Sequence, residues 1–161
     1  MRKHIAIAAC SMLVLASLAT PASAADNDTV NFSGSLSDNC SVVASPGTLG
    51  AAADNLSLST EESGGSAASL SVTSVGALPE VDFAAPAYGS TTGSYTGTPT
   101  AAIKYAGTNA ASQTSYTSSS SVSQLTANSA SYVINGRLSD SGGFLTGTYT
   151  MSVLATCGYG V

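Results

Sequence analysis

From Gly147 to Tyr159 apolar and polar positions alternate without a break. Tyr149, Met151, Val153, Ala155 and Cys157 share one side of an extended chain, and Thr148, Thr150, Ser152, Leu154 and Thr156 take the other. Successive side chains of a strand point to opposite faces, so this period of two predicts a half-buried β-strand whose apolar face carries a cysteine. The same period predicts a first strand over Thr29–Leu36, with Val30, Phe32, Gly34 and Leu36 on one face. Continued through Asp38, it puts Cys40 and Val42 on that face as well. Further strands are predicted by Leu56 with Leu58, by Leu70 with Val72 in Ala68–Val75, and by Val81 with Phe83. Ile103 with Tyr105 in Ala101–Tyr105, and Tyr132, Ile134, Gly136 and Leu138, complete the pattern.

Turn formers separate these segments. Ser45–Gly47 stops the piece that ends in Val42 and Val43, Glu61–Gly65 reads as a solvated turn, and Pro79 precedes the strand of Val81. Pro86–Pro99, rich in Gly, Thr and Ser, reads as a long exposed loop or irregular edge. Ala106–Ala130, which contains Ser118–Ser121, reads as a weakly ordered loop with one strand near Val122. Asp140–Gly143 predicts a tight connection that makes the last two strands an antiparallel hairpin, with Asn135–Gly136 as the alternative turn. About seven to nine short strands between such turns predict an all-β fold, a sandwich of two antiparallel sheets. A solenoid with Thr-x-Thr faces would need that motif at constant spacing, and Thr96–Thr100 has no recurrence. Disorder, the other reading of so polar a chain, conflicts with the repeated alternation of Val, Leu, Ile, Tyr and Phe.

The first residues carry a different signal. Arg2 and Lys3, an apolar run from Ile5 to Leu18, and the small-residue spacing Ala22-x-Ala24 predict an export signal over residues 1–24 and a secreted domain over 25–161. The run is too short for a transmembrane helix, so no transmembrane anchor is expected. Cys10 does not read as a lipoprotein cysteine, because most of the apolar run follows it. Past Ala24, Lys104 and Arg137 are the cations set against nine carboxylates, and histidine is absent. An acidic surface of this kind repels nucleic acid and anionic lipid. Export places the protein in the periplasm, at the cell surface or outside the cell.

Without Cys10 two cysteines remain, Cys40 and Cys157, in an oxidising compartment. Both fall on apolar faces, one near the first strand and one on the last. A structural disulfide is therefore expected between them. No C-x-x-C spacing or basic neighbour favours a reactive thiol.

The two ends also resemble a known family. Thr29–Leu36 followed by Cys40–Val42 is similar to the opening of major fimbrial subunits of the chaperone-usher type, in which apolar residues and a glycine alternate before a cysteine. The ending resembles them too, with a glycine and an aromatic residue, Gly147 and Tyr159, twelve positions apart around an alternating strand. Spore coat protein U-like secreted domains share this layout. The resemblance implies an immunoglobulin-like sandwich lacking one strand, completed first by a periplasmic chaperone and then by a like subunit. Tyr149–Tyr159 would be the strand that faces the chaperone. Two features depart from the family: the partner of the first cysteine normally comes much earlier than Cys157, and only Ala25–Asp28 precedes the first strand. If Val30–Leu36 is itself the donor arm, Cys40 begins the body of the fold.

Enzymatic chemistry finds little support. Serines have no histidine to activate them, Lys104 lacks a Ser-x-x-Lys context, and His/Cys zinc sites are unavailable once the cysteines pair. Glu61 and Glu62 read as turn residues, Glu80 and Asp82 as the outward face of a strand, and Asp26 and Asp28 as part of a frayed terminus. Calcium would need more oxygen ligands from a tight loop. No cofactor is expected. The serious rival to a structural or adhesive protein is a monomeric carbohydrate-binding or envelope-associated module, with Tyr88, Tyr95, Tyr105 and Tyr116 stacking on surface glycans. Asn27, Asn31, Asn39 and Asn55 open Asn-x-Ser/Thr sites that matter only in a glycosylating host.

Overall fold

The computed structural model describes Ser33, residues 39–89 and residues 95–159. The chain divides into two units, Met1–Gly34 and Ser35–Val161, and every strand among the described residues belongs to the second. The expected export signal and the strand of Val30, Phe32, Gly34 and Leu36 lie outside the described residues.

The strands are β1 (Asn39–Ser45), β2 (Gly50–Ala51), β3 (Ser57–Ser59), β4 (Ala68–Val75), β5 (Glu80–Phe83) and β6 (Ala87–Tyr88). They continue as β7 (Thr100–Thr108), β8 (Gln113–Thr117), β9 (Ser121–Gln124), β10 (Ser129–Ser139), β11 (Met151–Ser152) and β12 (Ala155–Gly158). All pairings are antiparallel. The largest sheet centres on β10, which pairs with β7 along one edge and shares the other edge between β4 and β3. β1 extends this sheet beyond β4, β2 beyond β3 and β8 beyond β7, and the seven strands curl into a half-barrel. β12-β5-β9 and β11-β6 form two smaller sheets. These run on from one another, because Ala84 N–H donates to the Leu154 carbonyl at 2.9 Å between the two pairings.

The alternating segments behave as their period dictates. In β4 Leu70 and Val72 are buried, in β5 Val81 and Phe83, and in β10 Ala130, Tyr132, Ile134 and Leu138, while the intervening residues face outward. Phe83, Tyr105 and Tyr132 meet at the centre: Phe83 stacks on Tyr105 at 4.4 Å, and Tyr132 stands edge-on to both. A second, smaller cluster gathers Leu58, Ala101, Leu138 and Phe144, and Met151 packs against both clusters.

Several expectations change. Ala106–Ala130 is not a loop: β7 runs to Thr108, and β8, β9 and the start of β10 follow. At β9 the apolar rule inverts, since Val122 is exposed and Ser123 fully buried. The Ser123 hydroxyl donates to the Ala111 carbonyl at 2.7 Å and accepts from Tyr132 Oη at 3.0 Å, so its polarity is satisfied inside the core. Leu58 enters the second cluster, but Leu56 is left exposed, because the chain turns at Asn55 with φ 57°. The last two strands are not a hairpin. Both edges of β10 are already occupied, and Phe144 N–H donates to Asn55 O at 2.7 Å, steering the chain off that sheet toward β6 and β5. The turn at Asp140–Gly143 is real, with Gly143 at φ 77° and Gly142 N–H bonded to Asp140 Oδ1 at 2.8 Å. Finally, the unbroken strand expected from Gly147 to Tyr159 is interrupted at Val153–Leu154, which separate β11 from β12.

Candidate assembly groove

The Cys40 and Cys157 sulfurs are bonded, with Cα atoms 6.0 Å apart and a sequence separation of 117. The bond joins β1, at the margin of the half-barrel, to β12, at the margin of the β12-β5-β9 ladder. Two backbone edges meet at this junction. One is β1, continued by Thr48, which bridges to Ser66, and by β2. The other is the last strand, followed backwards through β12 and β11. No ladder joins the two edges among the described residues.

Between them lies a cavity of about 360 Å³, with Gly47, Thr48 and Leu49 on one wall and Tyr149–Val153 on the other. Ala68, Ile103, Ile134 and Gly136 form much of its floor. Its lining contains no carboxylate, ammonium or guanidinium group. Met151 can cross the floor because residue 136 is glycine: a Cβ there would come within 2.8 Å of the Met151 sulfur. Gly47 serves the opposite wall in the same way, since a Cβ would stand 2.5 Å from the Ser66 carbonyl oxygen and 2.6 Å from Ala68 N. No L side chain fits there without moving backbone.

The last strand presents the face that its alternation predicts, but the face is not sealed. Tyr149, Met151, Val153, Ala155 and Cys157 are each half-buried, with exposed residues between them, and Gly147 is exposed. Across the gap Val42 stands opposite the fully buried Val72, and Ala44 opposite buried Leu70, yet both β1 residues remain exposed. Inward-pointing apolar groups on both walls thus lack a covering layer. Beyond the disulfide, Tyr159 Oη donates to the carbonyl of Asn39 at 3.0 Å and lies 3.2 Å from that of Val75, which draws the two walls together at this end.

The tyrosines that could have stacked on sugars have other places. Tyr105 is core. The Tyr116 ring packs beneath Arg137 at 4.4 Å and Lys104 at 5.0 Å, and its hydroxyl donates to Glu61 at 2.9 Å. Tyr88 and Tyr95 join Phe144 and Tyr149 in an aromatic cluster. Glu61 is therefore more than a solvated turn residue. Lys104 lies 2.9 Å from it, and this ammonium, followed by the Tyr116 hydroxyl, holds the carboxyl below its ordinary value. No local pattern announces this cluster, because its four members, Glu61, Lys104, Tyr116 and Arg137, come from four separate segments. In the aromatic cluster the Tyr95 hydroxyl donates to Asp140, which lowers the Asp140 carboxyl, with Gly142 N–H adding to the effect. Burial, and then the hydrogen bond to Asp140, raises the Tyr95 hydroxyl.

Glu80 accepts from Gln124 Nε2, and Asp82 faces outward on β5. Among the described residues no three His, Cys, Asp or Glu side chains converge as a metal site would need. Nor is any described helix long and apolar enough to cross a membrane. Period two identified the wall of the last strand; the wall at Gly47–Leu49 and the floor at Gly136 were missed. The one sequence cue to them is glycine, beside Pro46 and inside an alternating strand, where close backbone or side-chain approach is the usual cause. Comparison with protein-family models, with curated proteins and with solved structures finds no match to this chain.

Proposed function

We propose that this is a non-enzymatic, exported structural or adhesive protein, a subunit of a surface fibre assembled by strand addition. On this reading the fold is an immunoglobulin-like sandwich with one strand missing, and the groove is the place of that strand. The observation that carries the reading is a cavity without charge between two edges that no ladder joins among the described residues, with Met151 and Val153 half-buried on one wall and Gly47–Leu49 on the other, and with Val42 and Ala44 exposed on the adjoining β1. An extended segment entering the groove would satisfy backbone groups on both edges and bury apolar side chains at alternate positions. Thr29–Leu36 has the alternation such a segment needs, through Val30, Phe32, Gly34 and Leu36. A periplasmic chaperone strand would hold the groove before a like subunit replaces it.

Size-exclusion chromatography and negative-stain imaging of material exported by the native host test this reading. The expected outcome is polymers that resist heat in detergent and lose assembly competence when Val153 becomes Asp. Monomers alone under every condition would overturn it.

A further inference from the structure

Past residue 24 the chain holds two cations, Lys104 and Arg137, and the fold brings both to one place. The Arg137 guanidinium lies 4.4 Å from the centre of the Tyr116 ring, and the Lys104 ammonium 5.0 Å from it. Two cations against one ring repel each other, so the pair calls for anions. Glu61 supplies one, at 2.9 Å from Lys104. Arg137 is the cation left over. Among the described residues it forms no ion pair, and its Nε is buried with no hydrogen-bond partner. Buried polar groups are nearly always bonded, and a charged donor left without an acceptor is among the costliest exceptions. The Tyr116 ring offsets part of the charge but offers no oxygen to Nε, and its hydroxyl lies against Glu61 and Ser59.

The surroundings indicate what kind of anion fits. Lys104, Asn135 and Arg137 alternate with Ile103, Ile134 and Gly136, which floor the groove, so they belong to the opposite side of the sheet. Asn135 is the cross-strand partner of Lys104, and its Oδ1 accepts from Thr60 Oγ1 at 2.9 Å, which leaves its Nδ2 as a second donor. Farther along this side the sheet exposes uncharged hydroxyls, Ser129 and Ser131 of β10 opposite Thr73 and Ser71 of β4. A ligand with several adjacent negative charges would be repelled by the remaining carboxylates, whereas one carboxylate backed by hydroxyls would not. We propose that Arg137, with Asn135 and Lys104 beside it, binds a single carboxylate carried by a sugar, a hexuronate residue set among neutral sugars of a surface glycan. Nε and one Nη of the guanidinium take the two carboxylate oxygens, a planar match that an ammonium lacks. Nε reaches them by a turn of the side chain, which no described hydrogen bond or ion pair holds in place. The site deepens the adhesive side of the reading above and is independent of the groove.

The test follows the Arg137 Nε–H signal in nitrogen–proton correlation spectra of the isotopically labelled chain, the signal being assigned by its loss in Arg137→Gln. Four probes are titrated at matched ionic strength: glucuronate, glucose, acetate and a triglutamate peptide. Glucuronate should move the signal saturably, glucose should leave it in place, and acetate and triglutamate should bind more weakly by about tenfold. Arg137→Gln, its fold checked by circular dichroism, should weaken glucuronate by about tenfold or more, read from the Asn135 side-chain amide. If that variant does not fold, the titrations of the unaltered chain still decide. Acetate binding as well as glucuronate would overturn the sugar, glucose binding as well would overturn the carboxylate, and tighter triglutamate would assign the site to an acidic protein instead. A signal that no probe moves would overturn the site altogether and leave strand addition standing.

Discussion

The interior around Phe83 and the flank beside Cys40 are built from the same kinds of residue with the same alternation, yet they end in different states. Val72, Val81, Phe83 and Leu138 are fully buried, each on a strand with partners on both sides or beneath a covering ladder. Val42 points into the same interior from the strand beside Val72 and keeps 38% of its surface exposed. The difference is one of cover, not of hydrophobicity. A strand's apolar face is buried only when a second layer reaches over it. At the flank that cover is incomplete, so Val42 and Ala44 keep apolar surface in water.

The first way to sharpen this contrast is to release the flank. Reducing Cys40–Cys157 frees a closure spanning 117 residues and should cost about 4 to 5 kcal/mol on the chain-entropy account, read from denaturant midpoints with and without reductant. A loss near zero would mean that the margins of the two ladders are held by something other than sulfur.

Within the sealed region, Phe83→Ala removes a ring packed against Tyr105 and Tyr132 and should destabilise by about 3 to 5 kcal/mol. Val42→Ala in the open flank should cost less, about 1 kcal/mol in the same assay, since more than a third of its surface stays in water and the loss leaves no sealed cavity. Equal costs would erase the distinction between the two regions.

Polar burial gives an intermediate effect. Ser123→Ala should cost about 1 to 3 kcal/mol, because the hydroxyl of Tyr132 loses its acceptor inside the core. Tyr132→Phe added to Ser123→Ala should then cost less than it does alone, and a double-mutant cycle measures the coupling.

The smallest expected effect is a pH dependence. Asp140 titrates below its ordinary value of 3.8 in the folded state, because the Tyr95 hydroxyl donates to it. Its contribution is therefore present above pH 3.8 and fades as pH falls through the lower folded value. Tyr95 is shifted upward from 10.0, so its contribution is present below pH 10 and declines as pH rises beyond it. Tyr95→Phe should flatten both limbs of the stability profile, whereas Val153→Asp, in the flank, should leave the alkaline limb unchanged. Unaltered limbs in Tyr95→Phe would show that other groups set them.

Legibility in the sequence follows the same division. The alternation at Leu70–Val72, Val81–Phe83 and Tyr132–Leu138 sufficed to name the buried faces, because period two in a strand maps directly onto sides of a sheet. It also found the apolar face of the last strand and the parity that lets Cys40 meet Cys157. It failed at β8 and β9. There Ser and Thr dominate, and a serine, not a valine, turns inward once Tyr132 and Ala111 satisfy its hydroxyl. It failed again at the ladder partners. Asp140–Gly143 announces a turn, but not that both edges of β10 are already taken by β3, β4 and β7.

The sequence by itself determined the buried faces of β4, β5 and β10, and with them an all-β interior and two cysteines of compatible parity. Only the tertiary structure decided which strands are neighbours, that Glu61, Lys104, Tyr116 and Arg137 meet, and that an uncharged cavity lies between Gly47–Leu49 and Tyr149–Val153. Alternation is a local property of two adjacent peptide units. Pairing and cover are contests among distant segments for the same edge or the same face, and no single segment carries their outcome.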